Sequence, residues 1–147
     1  MMHCEIHKAK KIIELILPMV PQHYCDACET DNYDPVDIDL DYYMMASDNN
    51  QCFIVTLNEA DKIVGYSIFT LAHDPIRKGV LEAMNTCLYV IKGFRGAGTK
   101  KLIQNSTQLM KELGADKITY AIKNKALARL LKNEGYNPHE IVWSMSI

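Results

Sequence analysis

The most constraining stretch runs from Leu88 to Ile103: Leu-Tyr-Val-Ile-Lys-Gly-Phe-Arg-Gly-Ala-Gly-Thr-Lys-Lys-Leu-Ile. It passes from apolar, β-prone residues through a basic, glycine-rich turn into a segment with helical spacing. A strand that enters a helix through such a turn makes an anion site. Gly96 and Gly98 allow close approach of the backbone to a ligand, and the first N–H groups of the helix point at whatever sits there. The positive end of the helix dipole, with Arg95, Lys100 and Lys101, favours a phosphate or pyrophosphate.

The rest of the chain supplies a frame for that turn. Met2–Ile6 reads as a short first strand. From His7 to about Met19, Ala9, Ile12, Ile13, Leu15, Ile16 and Met19 recur at helical spacing until Pro18 and Pro21 stop them. Pro21–Pro35 is loop by composition, Asp37–Ser47 a second helix, and Asp48-Asn49-Asn50 a break. Gln51–Leu57 and Ile63–Leu71 are rich in β-branched and aromatic residues and flank the turn Asn58–Lys62, which predicts an antiparallel hairpin. Strands follow around Val80–Val90, Lys117–Ile122 and Glu140–Met145. Helices are expected over Gly96–Leu113, closed by Gly114, and over Lys125–Asn133, closed by Gly135. The expected class is therefore α/β: a mixed sheet covered by helices.

A chain of 147 residues is read as one domain spanning 1–147, and no apolar run approaches the ~20 residues needed to cross a bilayer. The start of the chain carries no cleavable-signal pattern. Five irregularly spaced cysteines do not resemble a disulfide framework; they read as reduced thiols of a cytoplasmic protein. A net charge of −2 hides a segregation of sign: Cys25–Asn50 holds eight acids and no Lys or Arg, whereas Lys92–Lys132 holds ten bases and two acids. Single-sign regions of this kind steer ligands of the opposite charge.

Two phosphate-binding patterns fail at the glycine turn. A Walker loop requires Lys then Ser or Thr after its last glycine, and Thr99-Lys100 reverses that order. A dinucleotide fingerprint requires a third glycine, which Gly96-Ala97-Gly98-Thr99-Lys100-Lys101 lacks. Instead, Val90-Ile91-Lys92-Gly93-Phe94-Arg95-Gly96-Ala97-Gly98 closely resembles motif A of the GNAT superfamily of acyl-CoA-dependent N-acetyltransferases. Asn124 followed by Leu130-Leu131-Lys132-Asn133-Glu134-Gly135-Tyr136 resembles motif B of the same family, at matching separation.

The resemblance implies a GNAT-like fold: a mostly antiparallel central sheet with a splayed parallel strand pair, flanked by about four helices. It implies acetyl-CoA as co-substrate. The pantetheine arm would pair with the backbone of Leu88, Tyr89 and Val90, and the pyrophosphate would lie on the turn Arg95, Gly96, Ala97, Gly98, Thr99 and Lys100. Asn124 would help to hold the donor near its thioester, while also suiting a helix N-cap. The acceptor would lie against the first two helices and the loop between them. The acidic, base-free stretch there, with Asp34, Asp37 and Asp39, predicts a cationic amine: a lysine side chain, a protein N-terminus, a polyamine or an amino-sugar. A homodimer is an assembly known among such relatives; a nucleic-acid or membrane partner is not expected.

Two positions depart from the motifs. Lys100 stands where glycine or alanine is usual, and Leu131 stands where many members carry the tyrosine that protonates the leaving thiolate. Catalysis would then rest on proximity, on a backbone N–H polarising the thioester carbonyl, on Glu82 as general base through water, and on Tyr136 (or Tyr89) as acid. The rival is a GNAT-fold protein that no longer catalyses and binds a partner through its acidic 25–48 face. His23-x-Cys25-x-x-Cys28, which His3 or His7 could complete to four ligands, is a weak zinc pattern, since only one Cys pair is present and no second cluster has fixed spacing; no metal is expected.

Overall fold

The structure, a computed structural model, describes residues 1–27, 38–122 and 124–139, together with Trp143, Met145 and Ile147. Strand β1 (Met2–Lys8) leads into helix α1 (Ala9–Ile16), a 3-10 turn over Leu17–Met19, and helix α2 (Val20–Ala27). The expected loop beginning at Pro21 is therefore helical through Ala27. Pro18 and Pro21 do not end the helical path. Each lies in the first turn of a new helical segment, where a missing N–H leaves no bond unmade. Helix α2 carries His23 and Asp26.

Helix α3 (Leu40–Asp48) is capped by Asp39, whose carboxylate accepts the Tyr42 N–H at 3.0 Å. Its far end caps another helix: buried Ser47 accepts the Lys10 N–H at 3.0 Å, satisfying an amide of α1's first turn. Strands β2 (Cys52–Glu59) and β3 (Lys62–His73) form the expected hairpin with a shorter turn. Glu59 pairs with Lys62, so only Ala60 and Asp61 connect the strands, with Ala60 at φ 51°. Strand β4 (Leu81–Val90), a 3-10 turn at Lys92–Phe94, helix α4 (Ala97–Glu112), strand β5 (Lys117–Tyr120) and helix α5 (Lys125–Asn133) follow. The expected strand at Glu140–Met145 lies outside the described residues except for Trp143 and Met145, neither of which is in a strand.

The sheet order is β1-β2-β3-β4-β5, antiparallel throughout except for the parallel pair β4–β5. With α1 and α2 taken as one broken helix, four helical units accompany it among the described residues, in line with the expected number. One face is covered by α1 and α3 over Ile54, Tyr66, Ile68 and Tyr89; the other by α4 over Val55, Leu57, Phe69 and Val90. Each large apolar side chain so buried stabilises the fold by ~1.5–3 kcal/mol. No helix among the described residues is long and apolar enough to cross a membrane.

Candidate functional site

The site begins at an irregularity in β4. Ile68 pairs with Cys87 but Phe69 pairs with Asn85, so Thr86 is an extra residue and β4 bulges there. Buried Asn85 fills the bulge: its Nδ2 donates to Ser67 Oγ (2.8 Å), the Cys87 carbonyl (2.9 Å) and the Ile68 carbonyl (3.2 Å). The parallel ladder with β5 stops at the same place, at Asn85 opposite Tyr120. This explains why β5 ends at Tyr120 and not at the expected Ile122. Beyond the fork, β4 runs on to Val90 without β5 beside it.

The free edge has defined chemistry. Ile91 N–H donates to the Val64 carbonyl at 2.9 Å, and alternation along an antiparallel pair then makes Tyr89–Tyr66 and Cys87–Ile68 the bonded rungs with β3. The backbone groups of Leu88 and Val90 accordingly face the open edge. An extended ligand with amide groups can pair there as a strand would, through the Leu88 N–H and carbonyl and the Val90 N–H, the Val90 carbonyl already accepting from Arg95 Nε. Gly65 sits against this segment, and a Cβ on it would lie 2.9 Å from the Tyr89 carbonyl oxygen, so only glycine lets β3 approach so closely.

At the end of that edge, Gly96 adopts φ 82° and ψ −103°, in the left-handed half of φ space, which L side chains rarely adopt, and caps α4. The first intrahelical bond there is Lys100 N–H to the Gly96 carbonyl at 3.0 Å, which leaves Ala97, Gly98 and Thr99 N–H without intrahelical partners. This end of a sixteen-residue helix fits a phosphate group. The two glycines divide the work. Gly96 supplies the turn, whereas buried Gly98 packs α4 onto the sheet, a Cβ there lying 3.1 Å from Leu57 Cδ2 and 3.4 Å from Met2 Sδ.

The side chains nominated from sequence are distributed around this edge. The Arg95 guanidinium turns back over the Tyr89 ring: Nε donates to the Val90 carbonyl (2.9 Å) and Nη2 pairs with Asp26 of α2 (2.7 Å). Tyr89 OH donates to the same carboxylate at 3.1 Å. Hydrogen bonds from Gln22, then from Tyr89 and Arg95, hold the Asp26 carboxyl below the ordinary range. Lys100 reaches towards Glu134 after α5, at 4.0 Å. Asn124 caps α5, accepting from Ala126 N–H (2.8 Å) and Leu127 N–H (3.1 Å). Leu131 is buried.

Glu82 lies on the first rung of the β4–β5 ladder, three residues before the fork and ~10 Å from it along the strand. Its Oε1 accepts from Thr119 Oγ1 at 2.5 Å and lies 3.7 Å from Lys117 Nζ. The Tyr136 hydroxyl bonds Thr107 Oγ1 of α4 at 2.6 Å, with the ring edge-on to Tyr120; burial pushes its pKa up. Asp39 is the α3 cap, and Asp34, Asp37 and Cys28 lie outside the described residues.

Sequence reasoning missed a cluster on the α2 side of the open edge. His23 stacks on Tyr89 (centroids 4.8 Å, 14° between planes). Its Nδ1 lies 2.9 Å from Tyr66 Oη and 3.4 Å from Cys87 Sγ. Burial lowers the imidazole pKa below its ordinary value, Asp26 opposing and Arg95 assisting; burial raises the Cys87 thiol to about 11. The residue was legible in sequence only as a neighbour of Cys25, because the segment reads as loop. Cys4, Cys52 and Cys87 are free thiols, and among the described residues no group of His, Cys, Asp and Glu could hold a metal ion. An open cleft of about 560 Å³ lined by Lys8, Phe53, His73, Leu81 and Leu113 lies at the opposite end of the sheet, away from this chemistry.

Comparison with known proteins agrees with this geometry. Curated protein sequences give no match. Among solved structures, a predicted acetyltransferase with acetyl-CoA from Clostridium acetobutylicum superimposes with a TM-score of 0.75 at 19% identity, covering 99% of this chain and 96% of that one. An aminoglycoside acetyltransferase from an uncultured soil metagenomic sample, in complex with sisomicin, gives 0.74 at 15% identity, over 99% and 95% of the two chains. A ribosomal-protein-alanine N-acetyltransferase from Brucella melitensis gives 0.72 at 18% identity, over 100% and 96%. At such identities these likenesses speak to fold. The model of the acetyltransferase (GNAT) family, however, matches residues 13–136, which take in the bulged strand, the glycine turn and the Asn124 helix. The chain belongs to the GNAT family of acetyltransferases, whose acyl donor is acetyl-CoA.

Proposed function

We propose that the protein transfers an acetyl group from acetyl-CoA to a primary amine of a cationic acceptor by direct attack in a ternary complex. The observation that carries this reading is the parting of β4 from β5 after Asn85, which leaves the Leu88–Val90 edge without a paired strand among the described residues and leads it to the α4 amides that have no intrahelical partner. The pantetheine amides suit that edge, and the pyrophosphate suits Ala97, Gly98 and Thr99 N–H, with Lys100 nearby. A backbone N–H of the open edge polarises the thioester carbonyl at no cost of reorganisation. The amine nitrogen bonds to the carbonyl carbon, the C–S bond breaks, and the electron pair leaves with the CoA sulfur. Holding the reactants together supplies ~7–11 kcal/mol of the barrier.

The acceptor is a cation recognised by the acidic segment: Asp34, Asp37 and Asp39, with Asp26 beside the open edge. Glu82 and Tyr136 are secondary candidates for proton transfer, Glu82 through water and Tyr136 as the acid that Leu131 cannot be. The free thiols of Cys4, Cys52 and Cys87 suit a reducing, cytoplasmic setting. The second reading, a non-catalytic GNAT-fold binding protein, is favoured by buried Leu131 and by the engagement of Arg95 with Asp26.

A thermal-shift titration with acetyl-CoA, followed by a screen of spermidine, a lysine peptide and an aminoglycoside, separates the two. A saturating donor at 100 times its Kd adds ~2.7 kcal/mol of stability. Transfer to an amine, with an apparent KM that rises when Asp34, Asp37 and Asp39 become Asn, supports the enzyme. A donor-induced shift without transfer to any amine supports the binding protein, and no shift refutes both the donor site and the reaction.

A further inference from the structure

We propose that His23 is the general base of this reaction, accepting the amine's proton at Nε2 with its ring in the tautomer that carries a proton on Nδ1. The inference rests on the acetyl-transfer reading above and deepens it by naming a residue that neither motif contains.

Four observations converge on His23. Helix α2 presents the half-buried imidazole to the stretch of β4 whose backbone edge is open, stacked on the Tyr89 ring and 3.4 Å from Cys87 Sγ. Tyr66 Oη at 2.9 Å and Cys87 Sγ at 3.4 Å hold the ring at Nδ1, and with a proton on that nitrogen it donates to the Tyr66 oxygen. Tyr66 is fully buried, so this orientation is rigid. Partial burial favours the neutral ring, the form a base requires. Among the described residues, the groups facing it from the packed elements include Asp26 on α2, Tyr66 on β3, Cys87 and Tyr89 on β4, and Arg95 after β4. Asp26 and Arg95 are paired with each other, so the imidazolium formed in the reaction gains a nearby carboxylate partly neutralised by the guanidinium.

The step balances without any further reactant. The amine nitrogen forms its bond to the acetyl carbon and loses one proton to His23 Nε2. The C–S bond breaks, its electron pair leaves with the sulfur, and the thiolate takes one proton from water as the imidazolium returns one to water.

The test compares wild type with His23→Asn, which keeps a donor where Nδ1–H stood but has no basic nitrogen, and with Tyr66→Phe, which removes the tautomer-fixing acceptor. His23→Asn should lower kcat by about 10²-fold or more. It should also abolish the acid limb of the wild-type pH–rate profile, whose midpoint falls below the ordinary imidazole value, while keeping the acetyl-CoA thermal shift. Tyr66→Phe should lower kcat less and move that midpoint. Independently of activity, long-range proton–nitrogen correlation spectra of the protein alone should give His23 as the Nδ1–H tautomer. Wild type active with His23→Asn equally active and the same acid limb, or a His23 protonated on Nε2, overturns this proposal and leaves the acetyl-transfer reading standing. A wild type that acetylates no amine overturns both.

Discussion

Replacing Asn85 with alanine tests whether one side chain holds β4 away from β5. Its two N–H bonds serve three acceptors: Ser67 Oγ, the Cys87 carbonyl and the Ile68 carbonyl. The Ile68 carbonyl retains Thr86 Oγ1 at 3.4 Å, but fully buried Ser67 loses its donor. Two lost bonds at ~0.5–1.5 kcal/mol each, with part of the desolvation cost of the groups left behind, amount to ~2–3 kcal/mol. For a chain of this size that is a fall of roughly 4–12 °C in Tm. Asn85→Asp has almost the same shape, but an ionised carboxylate only accepts, and it would face two carbonyl oxygens. It should therefore cost more than alanine, which separates hydrogen bonding from filling of space. Without the lock, β4 can close on β5, and a tenfold weaker acetyl-CoA Kd would need only ~1.4 kcal/mol of this coupling. Chemical denaturation and acetyl-CoA titration of the three proteins are the assays. Asn85→Ala within ~0.5 kcal/mol of wild type, with unchanged donor affinity, would refute the reasoning.

Three further outcomes follow from the packing. Gly65→Ala places a methyl 2.9 Å from the Tyr89 carbonyl oxygen and 3.0 Å from Val90 Cγ2, which backbone must yield to; it should cost ~1–3 kcal/mol in urea unfolding, and a neutral result would mean β3 and β4 are less tightly apposed. Ser47→Ala leaves the Lys10 amide uncapped and should cost ~1 kcal/mol, whereas Ser47→Thr, keeping the hydroxyl, should cost less. The folded pKa of His23 lies below its unfolded value, so the unfolded chain binds more protons between the two. The His23 contribution to stability is therefore full above the ordinary imidazole pKa and is lost as pH falls through it towards the folded value. Melting curves across that window should be less pH-dependent for His23→Asn than for wild type, and identical slopes would contradict the assigned burial.

The elements that depend on local pattern were legible. Hydrophobic spacing located α1, α4 and α5, β-branched runs located the hairpin, and Gly96, Gly114 and Gly135 marked helix boundaries because all three adopt positive φ. The pieces that depend on contacts distant in sequence were not. Composition argued for loop after Pro21, yet α2 persists because both prolines fall where no N–H is needed. Nothing local marks Thr86 as an extra residue; the bulge exists because Asn85 finds Ser67 across the sheet. Gly98 looked like a ligand-approach glycine and is a packing one, a distinction fixed by Leu57 and Met2. Arg95 looked free for phosphate, but its partner Asp26 lies on the helix that composition concealed.

Acetyl-CoA bound along the open edge of β4, with its phosphates on the start of α4, should leave its mark on the backbone amides of both segments. Amide hydrogen exchange of the full chain, with and without saturating acetyl-CoA, tests it residue by residue. Slowed exchange at the Leu88 and Val90 amides and at Ala97, Gly98 and Thr99, with little change at Phe53, Leu81 or Leu113, is the predicted result. Binding that instead protects the cleft around Phe53, His73 and Leu81 and leaves Leu88–Thr99 unchanged would contradict it.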